Sequence, residues 1–475
     1  MLTRLPTKLF QNLSANTGQL LINQFAGFII FYLLSTQLPK ERFGDLNFVL
    51  ATMLIVFNLL PLGIDQVVVR KIAMGRKADQ LLPVYLSHIL LTAFLFCVTL
   101  ISFYLFNPQV TGLYPLFFTI GVGKLLLFCS TPFKQVVNGL EKFRLLACMG
   151  VVSNIVRTLG LMVLALSYHI TLAGAMLVFV LGDLIEFILT IYLFKHRVKI
   201  PIIWRWNTQK YIQLVKEAMP QAGVVVLTSV MARLDWVLIG LLVSSAKLAE
   251  YSFAFKLFEI STLPLLAIAP LLLPWFTKAL KNASAITTEL NLLMRTELII
   301  AVLTALILNF LWLPVVDTLT DGKYSTIHVG TIFFLSLCIP FLYVNNFLWT
   351  IYFAQGQKKI ILTSFVITFF VTLGLDLILI PLLQDQGAAI AFLCGCVAQT
   401  ISYLWRERIP GLYAIWKRLL ICLSCAFIAG FTAKICFSNV YVILLLALGS
   451  CILLLAFTKQ IIWKPRAFVH SNQHR

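Results

Sequence analysis

Fourteen mostly apolar runs follow one another along this chain, and each approaches the roughly 20 residues that a helix needs to cross a bilayer. They lie near residues 16–38, 44–68, 82–106, 113–137, 144–167, 171–194 and 218–243, then near 248–276, 291–315, 327–355, 359–383, 386–404, 413–435 and 438–459. Apolar residues make up 60% of the 475 and charged residues 12%, with a mean hydropathy of +0.95. A soluble domain is nearer about 45–50% apolar and about 25% charged. A chain this long and this poor in polar groups cannot cover a water-facing surface. The spans also leave no room for a separate catalytic domain, which excludes soluble enzymes. The expected fold class is an all-α polytopic membrane protein with 14 transmembrane helices.

A formal charge of +19 would point to nucleic acid in a soluble protein, but in a membrane protein the basic residues must first be located. Lys and Arg gather in cytoplasmic loops, so alternation tests every span. With the N-terminus inside, twenty-eight of the thirty-seven basic residues fall in inside segments, five fall outside (Lys40, Arg42, Lys247, Lys323 and Lys434) and four fall within spans. One missed or spurious helix would scramble that split. Both termini are therefore expected in the cytoplasm. The first apolar run is full-length and lacks a small-residue cleavage site, so it is expected to stay as an anchor rather than leave as a signal peptide. The ten cysteines lie in or beside apolar segments. Neither Cys394-x-Cys396 nor Cys422-x-x-Cys425 has a second Cys/His pair at zinc spacing, so no metal or other cofactor is expected.

The longest inside connection runs from Lys195 to Lys216 between spans 6 and 7 and carries Arg197, Lys199, Trp204, Arg205, Trp206 and Lys210. It reads as a linker between halves, either lying on anionic lipid or serving as an ordinary positive-inside loop. Transporters are often built from duplicated bundles. The start of span 7 does align with the start of span 1: Asn16-Thr-Gly18 matches Gln221-Ala-Gly223 at an offset of 205, and both halves continue into an apolar helix and a basic loop. The expected organisation is an N-terminal six-helix lobe over 1–200, a basic cytoplasmic linker over 201–217, a C-terminal six-helix lobe over 218–405, and extra spans 13 and 14 with a cytoplasmic tail over 406–475. Six spans per half is an even number, so a pseudo-two-fold axis would run along the membrane normal.

A charge at mid-bilayer costs about 2.5–3.5 kcal/mol on insertion scales, so such charges mark a wet cavity or a partner. Lys124, Arg157, Arg233 and Lys256 are the four basic residues within spans. Each is a candidate for binding an anion, and each has a plain alternative in an ion pair with Asp183, Glu186, Asp235, Glu259 or Asp376. Lys256 and Glu259 share a helical face at i, i+3. Arg233 and Asp235 stand about 200° apart around a helix and cannot share one, which favours a ligand role for Arg233. In span 1, Asn12, Asn16, Gln19 and Asn23 recur at spacings that stack them on one stripe, suited to sugar hydroxyls, to water or to interhelical hydrogen bonds. Asn16, Gln19 and Asn23, with Gln221 at the matching place in span 7, are accordingly candidates for contact with a hydroxyl-rich ligand. Asp65 follows the break Pro61-Leu-Gly63 and, with Asp183, Glu186 and Asp376, is a candidate for ion coupling. Pro264, Pro270 and Pro274 in span 8 favour a bent helix. No residue set reads as catalytic.

Several short motifs, loose one by one, gain weight from their order. They are Lys40-Glu-Arg-Phe-Gly44, Pro61-Leu-Gly-Ile-Asp65 leading to Val69-Arg-Lys71, Asn138-Gly-Leu-Glu-Lys-Phe-Arg144, Arg233-Leu-Asp235 with Glu250-Tyr-Ser-Phe-Ala254, Ala354-Gln-Gly-Gln-Lys-Lys359, and Leu379-Ile-Pro381 before Gln386-Gly-Ala-Ala-Ile-Ala391. Over roughly residues 12–405 the chain resembles the polysaccharide-export branch of the multidrug/oligosaccharidyl-lipid/polysaccharide exporter superfamily, the lipid-linked oligosaccharide flippases such as O-antigen translocases. The resemblance implies two lobes rocking between inward-open and outward-open states, a cationic lumen, and undecaprenyl diphosphate carrying a short glycan as substrate. Asp376 departs from the asparagine that relatives often carry, and many relatives have twelve spans rather than fourteen.

The expectation is a flippase in the bacterial inner membrane, monomeric, with a lipid-linked oligosaccharide and the bilayer as its partners, working beside a glycan polymerase and chain-length machinery and without nucleic acid. A cation-coupled multidrug antiporter of the same superfamily is the nearest alternative, although it would be expected to use intramembrane carboxylates. A membrane glycan polymerase or ligase would need a sizeable outer loop, and the longest here is about twelve residues around Asp317 to Lys323.

Overall fold

The computed structural model describes residues 7–106, 112–167, 169–202, 206–265, 286–405 and 414–461. Among them the regular structure is helical throughout. In chain order the helices are α1 (Thr7–Gln37), α2 (Lys40–Leu59), α3 (Ile64–Ala73), α4 (Ala78–Phe106), α5 (Tyr114–Gly139), α6 (Phe143–Ser167), α7 (Leu172–Leu193), α8 (Thr208–Met231), α9 (Leu234–Leu242), α10 (Ser245–Ser261), α11 (Ile286–Thr320), α12 (Val329–Ala354), α13 (Lys358–Trp405), α14 (Ala414–Cys436) and α15 (Val440–Phe457). Among the described residues eleven helices are long and apolar enough to cross a membrane, or twelve if the bent pair Thr208–Met219 and Gln221–Met231 forms one span. In lipid every backbone polar group must be satisfied internally, which is what continuous helices achieve. The chain is a multi-pass membrane protein.

Two expected spans are interrupted. The run read over 44–68 is two helices, α2 and α3, because Pro61 lacks a backbone donor and Leu62 and Gly63 take left-handed backbone angles (φ 50° and 73°). The run read over 218–243 breaks between α8 and α9 at Ala232 and Arg233. By contrast, α13 is one continuous element of 48 residues only in name. It reverses at Gln384, whose φ of 54° is left-handed. A Cβ on Gly387 would overlap the Leu379 carbonyl, and one on Gly395 would overlap Thr372. Those two approaches make α13 an antiparallel hairpin whose arms correspond to spans 11 and 12.

The chain divides into two compact units, Met1–Ala249 and Glu250–Arg475. In the first, α5 packs against α7 and also against α2, α3 and α4, while α1 lies along α6. Its core holds Ile64, Val68, Leu82, Tyr85, Val136, Val137 and Phe194, none more than 1% exposed. Helices α8 and α9 belong to this unit. Lys71 and Glu217 form an ion pair at 2.8 Å, Gln221 donates to Gln66, and Gly44 approaches the Ser245 backbone so closely that a Cβ there would overlap it. In the second unit α11, α12, α14 and α15 share a core around Val302, Phe347, Ile351, Leu419, Cys422 and Cys451, all fully buried. There Asn345 donates to the Cys396 carbonyl at 2.9 Å and accepts from Thr400 at 2.7 Å, which ties α12 to the second arm of α13.

Candidate functional site

Three helices of the first unit bring charge into an apolar setting. On α5, Lys124 and Lys134 stand ten residues apart, nearly three turns. Helix α6 supplies Arg157, and α7 supplies Asp183 and Glu186, one turn apart on one face. Arg157 donates to Asp183 and Lys134 donates to Glu186, with all four side chains 18% exposed or less. Glu186 also accepts from the Ser153 backbone at 2.8 Å, and the Arg157 guanidinium lies 4.6 Å from the Phe179 ring centroid. Two glycines permit this approach. A Cβ on Gly123 would stand 2.8 Å from Asp183 Oδ2, and one on Gly182 would stand 2.9 Å from Arg157 Cγ. Both carboxylates are thus neutralised by hydrogen-bonded cations, the condition under which buried charge is tolerated.

Lys124 is the exception. Half-buried on α5, it feels the charges of Arg157, Lys134, Asp183 and Glu186, yet its ammonium makes no hydrogen bond or ion pair among the described residues. Three cations against two carboxylates leave the cluster with one positive charge in excess. An ammonium with three unclaimed donors is what an anionic ligand would meet.

The other sequence-predicted residues lie elsewhere. Arg233, at the break between α8 and α9, stacks on Trp236 at 4.5 Å and donates to the Ala232 carbonyl at 3.0 Å. Lys256 pairs with Glu259 at 2.9 Å, as their spacing allows. The amide stripe of α1 is turned toward α6: Asn23 donates to the Gly150 carbonyl at 3.2 Å and accepts from Asn154 at 3.0 Å, and the Gln19 amide packs on Gly150. These are interhelical contacts. The side chain of Asn16 lies outside the described residues. Gln221 meets Gln66 beside Gly63. Near the start of α3, Asp65 has one carboxylate oxygen buried without a hydrogen-bond partner among the described residues, while Asp376 is buried on the first arm of α13.

Two residues escaped the sequence reading. Lys134 was assigned to a loop by its charge, but it lies within α5, five residues short of its end, and reaches Glu186. Glu297, on α11, is 2% exposed, and neither carboxylate oxygen has a hydrogen-bond partner among the described residues. Among the described residues no group of His, Cys, Asp and Glu is arranged to hold a metal ion.

Residues 9–280 match the family described as polysaccharide biosynthesis protein, which is more than half of the chain. The chain belongs to the polysaccharide biosynthesis protein family. Among solved structures, this family member is similar to lipid II flippase MurJ in an inward closed conformation, at 15% identity and a TM-score of 0.73 over 95% of this chain and 99% of that one. It is also similar to a multidrug resistance MATE family transporter of the MOP superfamily in an inward-facing conformation, at 13% identity and a TM-score of 0.65 over 84% and 98% of the two chains. A third likeness is to the Vibrio cholerae MATE transporter VcmN in its bent form, at 15% identity and a TM-score of 0.52 over 87% and 98%. At such identities the likeness concerns the fold alone. No curated protein matches the chain in sequence.

Proposed function

We propose that this polysaccharide biosynthesis protein is a flippase that carries undecaprenyl-diphosphate-linked oligosaccharide units from the cytoplasmic to the outer leaflet of the bacterial inner membrane by alternating access, with both termini cytoplasmic. The observation that carries the reading is Lys124, an intramembrane ammonium with no described partner, beside two ion pairs whose sum leaves one positive charge in excess. A diphosphate supplies the missing anion. Lys124 offers a point charge with three rotatable donors, and Arg157 adds a planar fork that could turn from Asp183 to a phosphate. The family supports a polysaccharide precursor as cargo, and the similar structure named as a lipid II flippase supports a lipid-linked one. Arg233 and Lys256 are kept as secondary diphosphate contacts and Gln19, Asn23, Asn16 and Gln221 as glycan contacts. Asp65, Asp183, Glu186 and Asp376 are kept for ion coupling. The lobes proposed are 1–200 and 218–405, and the protein is proposed to act as a monomer.

The likeness to MATE transporters favours a second reading, a cation-coupled multidrug antiporter. One experiment separates the two. A strain lacking the gene is complemented with Lys124→Gln or Lys124→Arg, with protein level as control, and surface glycan and drug efflux are measured. The flippase reading expects export to fall about ten- to a hundredfold with Gln, which matches the loss of a charged hydrogen bond of about 1.5–3 kcal/mol, and to recover partly with Arg. Normal surface glycan with Lys124→Gln, together with drug efflux that depends on this protein, selects the antiporter.

A further inference from the structure

Glu297 has no place in the site described above. It lies in the middle of the buried stripe of α11, one turn from Met294 on one side and Ala301 on the other, with Leu298 and Val302 beside it. Eleven residues separate it from Ile286, where α11 begins, or about 16 Å along the axis. The surrounding core is aliphatic and aromatic. Both carboxylate oxygens are out of contact with solvent and have no hydrogen-bond partner among the described residues.

The titratable group that faces it is Tyr343 of α12, fully buried, near enough to feel the carboxyl and set against the Leu265 backbone. The nearest cations make their hydrogen bonds to other groups, although the Arg295 Nε has no partner among the described residues. Arg418 of α14 donates to Asn291 at 2.8 Å, and Arg295, on α11 itself, donates to the Lys459 carbonyl at 3.2 Å just past α15. The other titratable groups of that core are Cys422, Cys425, Cys451, Tyr403 and Tyr352, whose hydroxyl donates to the Tyr403 carbonyl at 2.8 Å. An ionised carboxylate placed here would lose several kcal/mol of hydration with no cation in compensation, whereas the neutral acid loses far less.

We propose that Glu297 is a proton-binding site of the C-terminal unit. Its carboxyl carries the proton while α11 and α12 are packed as described here, and releases it to water when that contact opens. The O–H bond breaks, the proton passes to solvent, and the carboxylate left behind resists repacking until it is protonated again. This links the opening of one helix pair to one proton. The step rests on the transporter reading only for its use in transport, since proton binding can be measured without any cargo.

The test has two arms on purified, reconstituted full-length protein. In the first, infrared difference spectra between neutral and alkaline pH are recorded for the native chain and for Glu297→Gln, a near-isostere of the neutral acid. The native protein should show the carbonyl band of a buried protonated carboxyl, and the variant should lack it while keeping its thermal midpoint. An identical band in both proteins overturns the proposal. In the second arm, vesicles of phosphatidylethanolamine and phosphatidylglycerol with an imposed pH gradient are given a fluorescent polyprenyl-diphosphate disaccharide. The gradient should accelerate flipping by the native chain at least several-fold and by Glu297→Gln not at all. A variant that keeps the full gradient response overturns the role in transport. If the native chain moves none of this probe while the infrared band stands, the flippase reading fails and the proton site does not. Should Glu297→Gln prove unstable, Glu297→Asp keeps the proposal open to refutation, because changing the carboxyl itself must shift the frequency of the same band.

Discussion

The α5–α6–α7 cluster and the α11–α12 contact solve the same electrostatic problem in opposite ways. In the first, two buried carboxylates each hold a cation, and glycines at 123 and 182 bring the backbones close enough for the pairs to form. In the second, a single carboxyl is enclosed by apolar side chains with no described hydrogen-bond partner. A pair fixes a charge permanently and contributes shape, whereas a lone acid can exist in the core in only one protonation state at a time. Charge count alone would have ranked the first region as the more costly. Pairing reverses that order.

The contrast breaks most easily at the pair itself. Arg157→Ala should destabilise the protein by about 3–5 kcal/mol because it abandons Asp183 in the core, while Arg157→Leu combined with Asp183→Leu should be nearly neutral. Thermal unfolding in detergent checks both, and equal losses in the single and double variants would mean that the pair has no mutual stabilisation. Next comes Lys124→Leu, which removes a cation with no described partner and should ease insertion by about 2.5–3.5 kcal/mol on translocation scales, read as an unchanged or higher level of inserted protein. Gly123→Ala should cost about 1–3 kcal/mol by overpacking against Asp183. The same change at Gly374, where a Cβ meets nothing within 4 Å, should be silent in the same unfolding assay. Among the destabilising changes the smallest effect is expected for Asn23→Ala, about 1 kcal/mol from the lost bonds to Asn154 and Gly150. A large loss of glycan export from this variant at normal stability would return the amide stripe to the cargo path.

Much of this was legible in the sequence, for reasons that differ by residue. The apolar runs marked the helices because a bilayer imposes length and hydropathy together, and Pro61 and Gly63 marked the break before α3. Lys124, Arg157, Asp183 and Glu186 stood out as charges inside spans, and Asp183 and Glu186 were named as partners before the pairs were seen. Which cation took which acid was not legible, since that depends on how α5, α6 and α7 are rotated and not on spacing along any one of them. Lys134 was misplaced because the positive-inside pattern assigns a basic residue near a helix end to the loop, while a four-carbon stem lets it reach inward. Glu297 was hidden by its neighbours: Glu289 and Arg295 give the start of α11 the look of a water-facing end. Only the packing of α12 and its neighbours buries it, and no periodicity within α11 reports that.

The reversal at Gln384 bears on how the protein reaches the membrane. Since a single left-handed residue joins the two arms of α13, no hydrophilic loop stands between them to be handed across the bilayer on its own. The arms meet through the close approach of Gly395 to Thr372, and are expected to enter lipid together as a helical hairpin. Residues 358–405 are then expected to insert as one step.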